Sequence, residues 1–511
     1  MDPNVGGEGL RRTRTPGPGP GPGPGIRGVG LAAAPPPLRP AAATEGAHPV
    51  RREPAADQRR RRPSTYDVTD GRPVTLDPAV DPPLPLRRSR PFWLFWTGET
   101  ISVFGTEVTS LLLSLLAVVV LDAPPVWVGL INAMLWLPWV VIGLPTGAWV
   151  DQRTPRAVMV VSDLVAAAAL LSIPIAWLLE LLTLQHLAVV TFAVGTTNVF
   201  FRSAYPKLVA TLVRREDLPT ANSYLTGSES VAQVGGPPVG GALAALLAPA
   251  LAVLLDAVSY LVSAVFLMVI PRSAQRWRPP AGSTAPLRDR IATGWRFTFA
   301  DRYLRYFTIQ GALSNTGLTG FQALLVLFLV RELGMSGPEA GMAVAVQGAG
   351  TLIGAVVAPM VGRRLGSARA TVWLFCGVGV GALLLPWGAP GWRTGLLLAG
   401  MFLIGACVVC ANVIRGAWRQ SYVPLELMAR TSTAAQTVNF SLMPIAAVSA
   451  GWLGQEFGLV PAVAVMGGIV AAVSFTAPVS PLRGRRDLPD EPTSEVLAVA
   501  EVPEPAWQDV R

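Results

Sequence analysis

GAWVDQRTPR, Gly147 to Arg156, interrupts a long apolar run with an aspartate, two arginines and a proline within a few residues. Apolar residues lead into it from about residue 126 and resume at about 157. Each flank is long enough to cross a hydrocarbon core, which takes about 20 helical residues. A charged turn between two such flanks belongs at a membrane surface.

The pattern recurs along the chain. Of its 511 residues, 51% are hydrophobic and only 14% charged, where a soluble protein carries about a quarter of its residues as charges. Twelve apolar stretches are expected to span: 92–120, 126–150, 157–180, 186–207, 222–247, 249–270, 303–330, 338–360, 369–388, 393–418, 430–453 and 458–478. Many are rich in Ala and Gly, as helices packed closely in lipid are. The expected fold is an all-α membrane protein.

Residues 1–88 hold PGPGPGPGPG (Pro16 to Gly25) and the run Arg59 to Arg62, a composition that builds no core, so this stretch is read as a disordered tail. It lacks the apolar segment that a cleavable signal peptide carries after its first arginines. Residues 481–511, acidic and proline-containing, are read as a second flexible tail. Between them lie a first half, 89–271, a linker, 272–302, and a second half, 303–480.

Loop charge sets the orientation. Arg153, Arg156, Lys207, Arg214, Arg272 and Arg363 all fall in alternate turns, while the intervening turns, such as DAPP at 122–125 and REL at 331–333, carry few cations. The positive-inside rule then places the linker and both termini in the cytoplasm. Arg-, Ala-, Gly- and Pro-heavy usage with a sole lysine, Lys207, suggests a bacterium with GC-rich DNA, and so its inner membrane.

The net charge of +9 lies largely in juxtamembrane turns and the first tail, where orientation and contact with anionic membrane lipids account for it; no nucleic-acid partner is expected. Cys376, Cys407 and Cys410 lie inside spans without further soft ligands, so neither a disulfide nor a metal is expected. No Walker sequence, metal-diphosphate aspartate cluster or His/Asp pair is visible, which argues against an ATPase or a membrane enzyme and implies no cofactor.

The halves echo one another. NVFFRSAY, from Asn198, closes the fourth span, and NVIRGAW, from Asn412, closes the tenth; each precedes a basic turn and a span with a central proline, Pro237 and Pro444. The turn at 151–156 has its counterpart in GRRLGSAR, 362–369. Such duplication predicts two six-helix bundles with pseudo-two-fold symmetry, working by alternating access about a midplane site, within a single monomer.

Over residues 89 to 480 the chain resembles the major facilitator superfamily, in its branch of macrolide, multidrug and enterobactin exporters. FWLFWTGETISVFGTEVT, GLPTGAWVDQRTPRAVMVVSDL, ANSYLTGSESVAQVGGPPVGG, LLDAVSYLVSAVFL and LVRELGMSGPEAG jointly carry the resemblance. It implies the twelve-helix facilitator fold and export of a small, hydrophobic or amphipathic substrate in exchange for protons. A lipid or lysolipid flippase, or a siderophore exporter, is the alternative on the same scaffold. The resembling exporters often have glutamine at Glu99 and Glu107 and an acid near Arg202, so no particular cargo is inherited.

Ionisable side chains inside spans should face a bundle interior or a wet cavity. In the first span Glu99 shares a face with Ser102 and Thr106, while Glu107 lies about 80° round the helix. In the fifth, Asn222, Thr226, Glu229 and Gln233 fall within roughly 40° of one direction, a polar stripe. Arg202 is a candidate partner for one of the glutamates. These seven residues are the candidate substrate- and proton-binding set; for Glu107 a packing role stands level, and Asp256 reads as structural. The second half has fewer embedded acids, so coupling is assigned to the first half and the shaping of the cavity to the second. Trp136 and Trp139 could line that cavity.

The opening turn reads as a gate. Gly143 and Gly147 leave a thin helix face for close approach to the partner bundle. Asp151 can sit against helix-end amides or an arginine across the seam, with Arg153 and Arg156 anchoring the latch. It is expected to hold the outward-open state.

Overall fold

The structure, a computed structural model, describes residues 85–150, 152–271, 287–494 and 496. The described residues are almost wholly helical, in the order α1 (Arg90–Leu115, widening into a π-helical turn at Leu116–Val120), α2 (Pro125–Val141), α3 (Gly143–Val150), α4 (Pro155–Leu178), α5 (Leu184–Leu212), α6 (Leu218–Leu246), α7 (Pro249–Ala252) and α8 (Leu254–Val269). After the linker come α9 (Leu287–Ala300), α10 (Arg302–Arg331), α11 (Gly337–Leu365), α12 (Ser367–Leu384), α13 (Thr394–Tyr422), α14 (Leu425–Ser441), α15 (Met443–Phe457) and α16 (Leu459–Ser474).

Local chemistry sets these boundaries. Asp301 accepts hydrogen bonds from the amides of Tyr303 and Leu304 at 2.9 and 2.7 Å, capping α10. Ser336 and Glu339 form a capping box on α11. Gly366 and Gly458, at φ of +84° and +90°, end α11 and α15 in a conformation that glycine adopts without a Cβ clash.

Among the described residues nine helices are long and apolar enough to cross a membrane. The other three expected spans differ for physical reasons. The fifth, α6, is continuous but carries the polar stripe. The second and eleventh are each broken at one residue, Ile142 and Leu442. A proline follows each break, Pro145 and Pro444, and its ring displaces the carbonyl four residues back. By contrast α6 runs unbroken through Pro237 and Pro238, so the sequence echo between Pro237 and Pro444 does not extend to helix shape.

Packing displays the pseudo-two-fold directly. The first span packs on the fifth and sixth, the third on the fourth and sixth, and the second on the fourth; adding six to each number gives the pairings of the second half. The halves join through α6 with α11 and α2 with α15, which are also equivalent pairs. Side chains such as Leu246, 80% exposed, and Val356, 72% exposed, form an apolar exterior suited to lipid.

Two expectations about the flanks change. The second part of the expected linker is a helix, α9, packed on α14. The expected flexible tail from residue 481 is docked at least through Pro489: Leu482 and Leu488 are buried, the Arg486 carbonyl oxygen accepts from the amides of Ala368 and Arg369, and the Trp418 indole donates to the Pro489 carbonyl oxygen at 2.8 Å. Burying two leucines outweighs the charge that suggested a free tail. Residues 1–84 of the expected first tail lie outside the described residues.

Candidate functional site

Helix ends next to residue 152, the linker and α14's start define one face of the helices, here the linker face; Asp122, Arg331 and Gly458 lie on the opposite face. Toward the opposite face the halves touch backbone to backbone. A Cβ on Gly451 would lie 2.6 Å from the Pro125 carbonyl oxygen and 3.1 Å from the Gly129 Cα, and one on Gly348 would lie 2.7 Å from the Gln233 carbonyl oxygen.

Within the first half, α1, α4, α5, α6 and α8 enclose a cavity of about 70 Å³ lined by Glu99, Glu107, Asp163, Arg202, Glu229 and Tyr260. Gly236 lets α6 approach α1 so closely that a Cβ there would strike the side chain of Glu107. Arg202 donates to Glu229 at 3.2 Å, and with side chains 57% and 37% exposed the pair is open to its surroundings. Deeper in, one carboxylate oxygen of Glu99 is buried without a hydrogen-bond partner, and the buried Asp163 has the Ser263 hydroxyl for a neighbour. Thr106 and the Tyr260 hydroxyl are 3.1 Å apart. An exposed ion pair beside buried carboxylates is electrostatically coupled to them, because a change of charge on one group alters the field at the others.

Of the seven candidate residues the cavity gathers Glu99, Glu107, Arg202 and Glu229. Asn222 and Thr226 are exposed and do not line it; Gln233 is half-buried at the seam with α11. Asp256 is buried and accepts from the Ser259 hydroxyl at 2.9 Å, under Gly105. Asp163 is an addition to the candidate set, although an acid within VVSDLVAA carries the same signal as the glutamates: an ionisable residue inside an apolar span.

The described contacts of the gating turn lie within the first half. Gly143 meets nothing nearer than the Trp139 ring, at 3.9 Å, so its thin face is not filled by the partner half. Arg153 lies over the Trp149 ring at 5.2 Å. Arg156 donates to the Leu267 carbonyl oxygen at 2.6 Å and to that of Met268, binding the carbonyl end of α8 within its own half. Asp151 and the surroundings of Gly147 lie outside the described residues. The close glycine contacts are instead made toward the opposite face, because that is where the halves meet in this conformation.

The larger cavity, about 470 Å³, lies in the second half. Arg415 of α13 stands between two rings, 5.4 Å from Phe307 and 5.0 Å from Phe375, and donates to the Asn412 side chain. Arg419 also lines the space. Asn315 donates to Asn439 at 3.1 Å across α10 and α14. Phe440 lines one side, its ring 5.8 Å from Trp136 and 4.9 Å from Trp139 of α2, so these tryptophans pack on a wall residue and do not themselves line the cavity. Among the described residues no three His, Cys, Asp or Glu side chains converge as a metal site.

Similarity to known proteins agrees with this architecture. The family model of the Major Facilitator Superfamily matches residues 95–448. The chain is 24% identical over 351 residues to the uncharacterized MFS-type transporter YvqJ of Bacillus subtilis (strain 168), covering 68% of this chain and 81% of that one. It is 25% identical over 397 residues to the uncharacterized MFS-type transporter YfiS of the same organism, covering 74% and 90%. Among solved structures, the nucleoside transporter NupG superposes with a TM-score of 0.59 at 13% identity, over 76% of this chain and 98% of that one. A bacterial homologue of the iron transporter ferroportin does so with a TM-score of 0.58 at 20% identity, over 76% and 98%. With duplicated six-helix bundles, membrane-spanning helices and a family match over most of its length, the chain belongs to the major facilitator superfamily of membrane transporters.

Proposed function

We propose that this transporter is a secondary active exporter, moving a small hydrophobic or amphipathic molecule out of a bacterial cell across the inner membrane in exchange for protons. The observation that carries the reading is the open Arg202–Glu229 pair sharing one cavity with the carboxylates of Glu99 and Asp163. Protonation of Glu229 frees Arg202 to turn toward those carboxylates, and a cluster whose charge pattern differs between two packings can bias the choice between them.

The arginine-rich linker face is assigned to the cytoplasm by the positive-inside rule. The described conformation, joined at the opposite face, is then the inward-open one, and the latch of GAWVDQRTPR acts in the outward-open state. Residues 89–271 and 303–480 work as two rocking units of one monomer.

The test is uptake into inverted membrane vesicles under an imposed pH gradient, with ethidium, a macrolide, a ferric siderophore and a fluorescent lysolipid as cargo. Gradient-dependent movement of a drug, lost in Glu229→Gln and Glu107→Gln, supports drug export. Movement of the lysolipid or siderophore alone selects the corresponding alternative. No movement of any of them in response to the gradient overturns proton-driven export of these classes.

A further inference from the structure

The second-half cavity holds a cation without an anion. Arg415 is held by three helices: α13 carries it, α10 supplies Phe307 and α12 supplies Phe375. Flanking rings fix the plane of the guanidinium; its Nε donates to the Ala411 carbonyl oxygen at 3.4 Å and one amino group to Asn412, which leaves the other amino group to bind in that plane. Among the described residues no carboxylate lies within ion-pair distance of Arg415 or Arg419, and the side chains that accept their hydrogen bonds, Asn412 and Ser432, are neutral. A second positive charge, Arg419, lines the same space one helical turn away. Two like charges one helical turn apart repel each other unless an anion joins them, and Arg415 lies inside the tenth span.

A further feature points to a ligand. Gln310, 5% exposed, lines the cavity with a buried side-chain oxygen that has no hydrogen-bond donor. A buried acceptor of this kind is satisfied when a ligand or water supplies a donor. Phe307, Phe375 and Phe440 form the aromatic part of a wall that also carries Asn315 and Gln436, and about 470 Å³ is the size of pocket that takes a small organic molecule.

We infer that the cargo is an amphipathic organic anion whose carboxylate or phosphate is bound by Arg415 and Arg419, whose apolar body lies against Phe307, Phe375 and Phe440, and whose hydroxyl or amine donates to Gln310. This deepens the export reading and rests on it, but draws on the second-half cavity instead of the first-half acids. The two halves then divide the work, with the acids of the first handling protons and the arginines of the second holding the cargo. A hydrophobic cation, by contrast, would meet like charge from Arg415 and Arg419 in the larger cavity.

The shared chemistry is an anionic head on an apolar body, offered by a small aromatic acid or by an anionic lysolipid. Purified full-length protein in nanodiscs, with no gradient present, is titrated with 2-naphthaleneacetate, its neutral amide, 2-(naphthyl)ethylamine and lysophosphatidylglycerol, with tryptophan fluorescence as the readout. Either anion should bind at least tenfold more tightly than the amide and the amine. Arg415→Gln should lose at least tenfold in anion affinity while leaving the amide unchanged, and Arg415→Lys should recover part of it. Retained amide binding shows that the variant is folded; should it be lost, the comparison is made with Arg419→Gln. Equal binding of all four probes, binding of none, or unchanged anion affinity in both glutamine variants overturns the inference. Because no gradient is used, that result leaves proton coupling to be judged by the vesicle experiment.

Discussion

Arg331, at the end of α10, donates to the Asp122 carboxylate at 2.6 Å and to the Ala123 carbonyl oxygen at 3.1 Å, so one guanidinium ties the second half to the turn after α1. Asp122 takes a φ of +43° to meet it, a left-handed conformation that aspartate tolerates better than most residues. The pair is a latch across the opposite face. Its aspartate side chain is 92% exposed, and exposed pairs are worth at most about 1 kcal/mol, or roughly fivefold in a population. Arg331→Ala should therefore lengthen the distance between spin labels at Glu180 and Glu332 in no more than a modest fraction of molecules. A distance distribution identical to wild type would show that the latch holds nothing.

The glycine seam beneath that latch should matter more. Gly451 lies against the backbone of Pro125 and Gly129 with no room for a side chain. Gly451→Val has to separate α15 from α2, because a Cβ 2.6 Å from a carbonyl oxygen cannot be accommodated by rotamer change. The expected outcome is a shift to the conformation closed at the linker face. A cysteine at Asn222, in a background lacking Cys376, Cys407 and Cys410, should then react more slowly with a water-soluble maleimide. Unchanged labelling with intact folding would contradict this role for the seam.

Glu229→Gln and Asp163→Asn separate stability from coupling. Breaking an exposed pair such as Arg202–Glu229 should cost about 1 kcal/mol or less, yet gradient-driven transport should fall severalfold or more. Asp163→Asn removes a buried charge without changing shape, so thermal stability should stay level or rise, since a buried carboxylate with no ion-pair partner among the described residues is destabilising. Substrate counterflow, which needs no proton movement, should survive in both. Loss of counterflow together with uptake would mean that these carboxylates bind cargo.

The docked C-terminal segment offers a stability prediction. Leu488 is buried at 4% exposure, in the cluster that includes Trp418 and Tyr422. Leu488→Asp gives up roughly 1.5–3 kcal/mol of apolar burial and loosens the segment that accepts the Trp418 indole proton. The melting temperature should drop by several degrees. Since Trp418 also lines the larger cavity, anion binding should weaken with it, and a variant as stable as wild type would show that the segment is not a structural part of the second half.

Much of the architecture is legible because lipid imposes one simple demand, an apolar stretch long enough to satisfy its own backbone. Nine helices meet that demand outright, and the arginine-bearing turns supply the orientation used in the functional proposal. The polar stripe of α6 and the acids of α1 are visible as ionisable or polar residues at helical spacing. Asp163 carries the same signal, but it stands alone in its span, with no polar residue at helical spacing beyond Ser162 next to it to mark a shared face. The packing of residues 481–489 is hidden because two leucines in a charged, proline-bearing stretch give no periodicity.

What local sequence determined here is the number of spans, their caps and the duplication of the halves, since all follow from hydropathy, turn chemistry and repeat. Only the tertiary structure decided which polar groups meet. Arg202 pairs with Glu229 across α5 and α6, Arg415 lies between rings from two other helices, and the glycines that touch are Gly129 and Gly451 instead of Gly143 with the partner half. Those relationships depend on helix rotation and on which of two packings the halves adopt. Neither is encoded in any one span; both emerge when close-packed helices interlock.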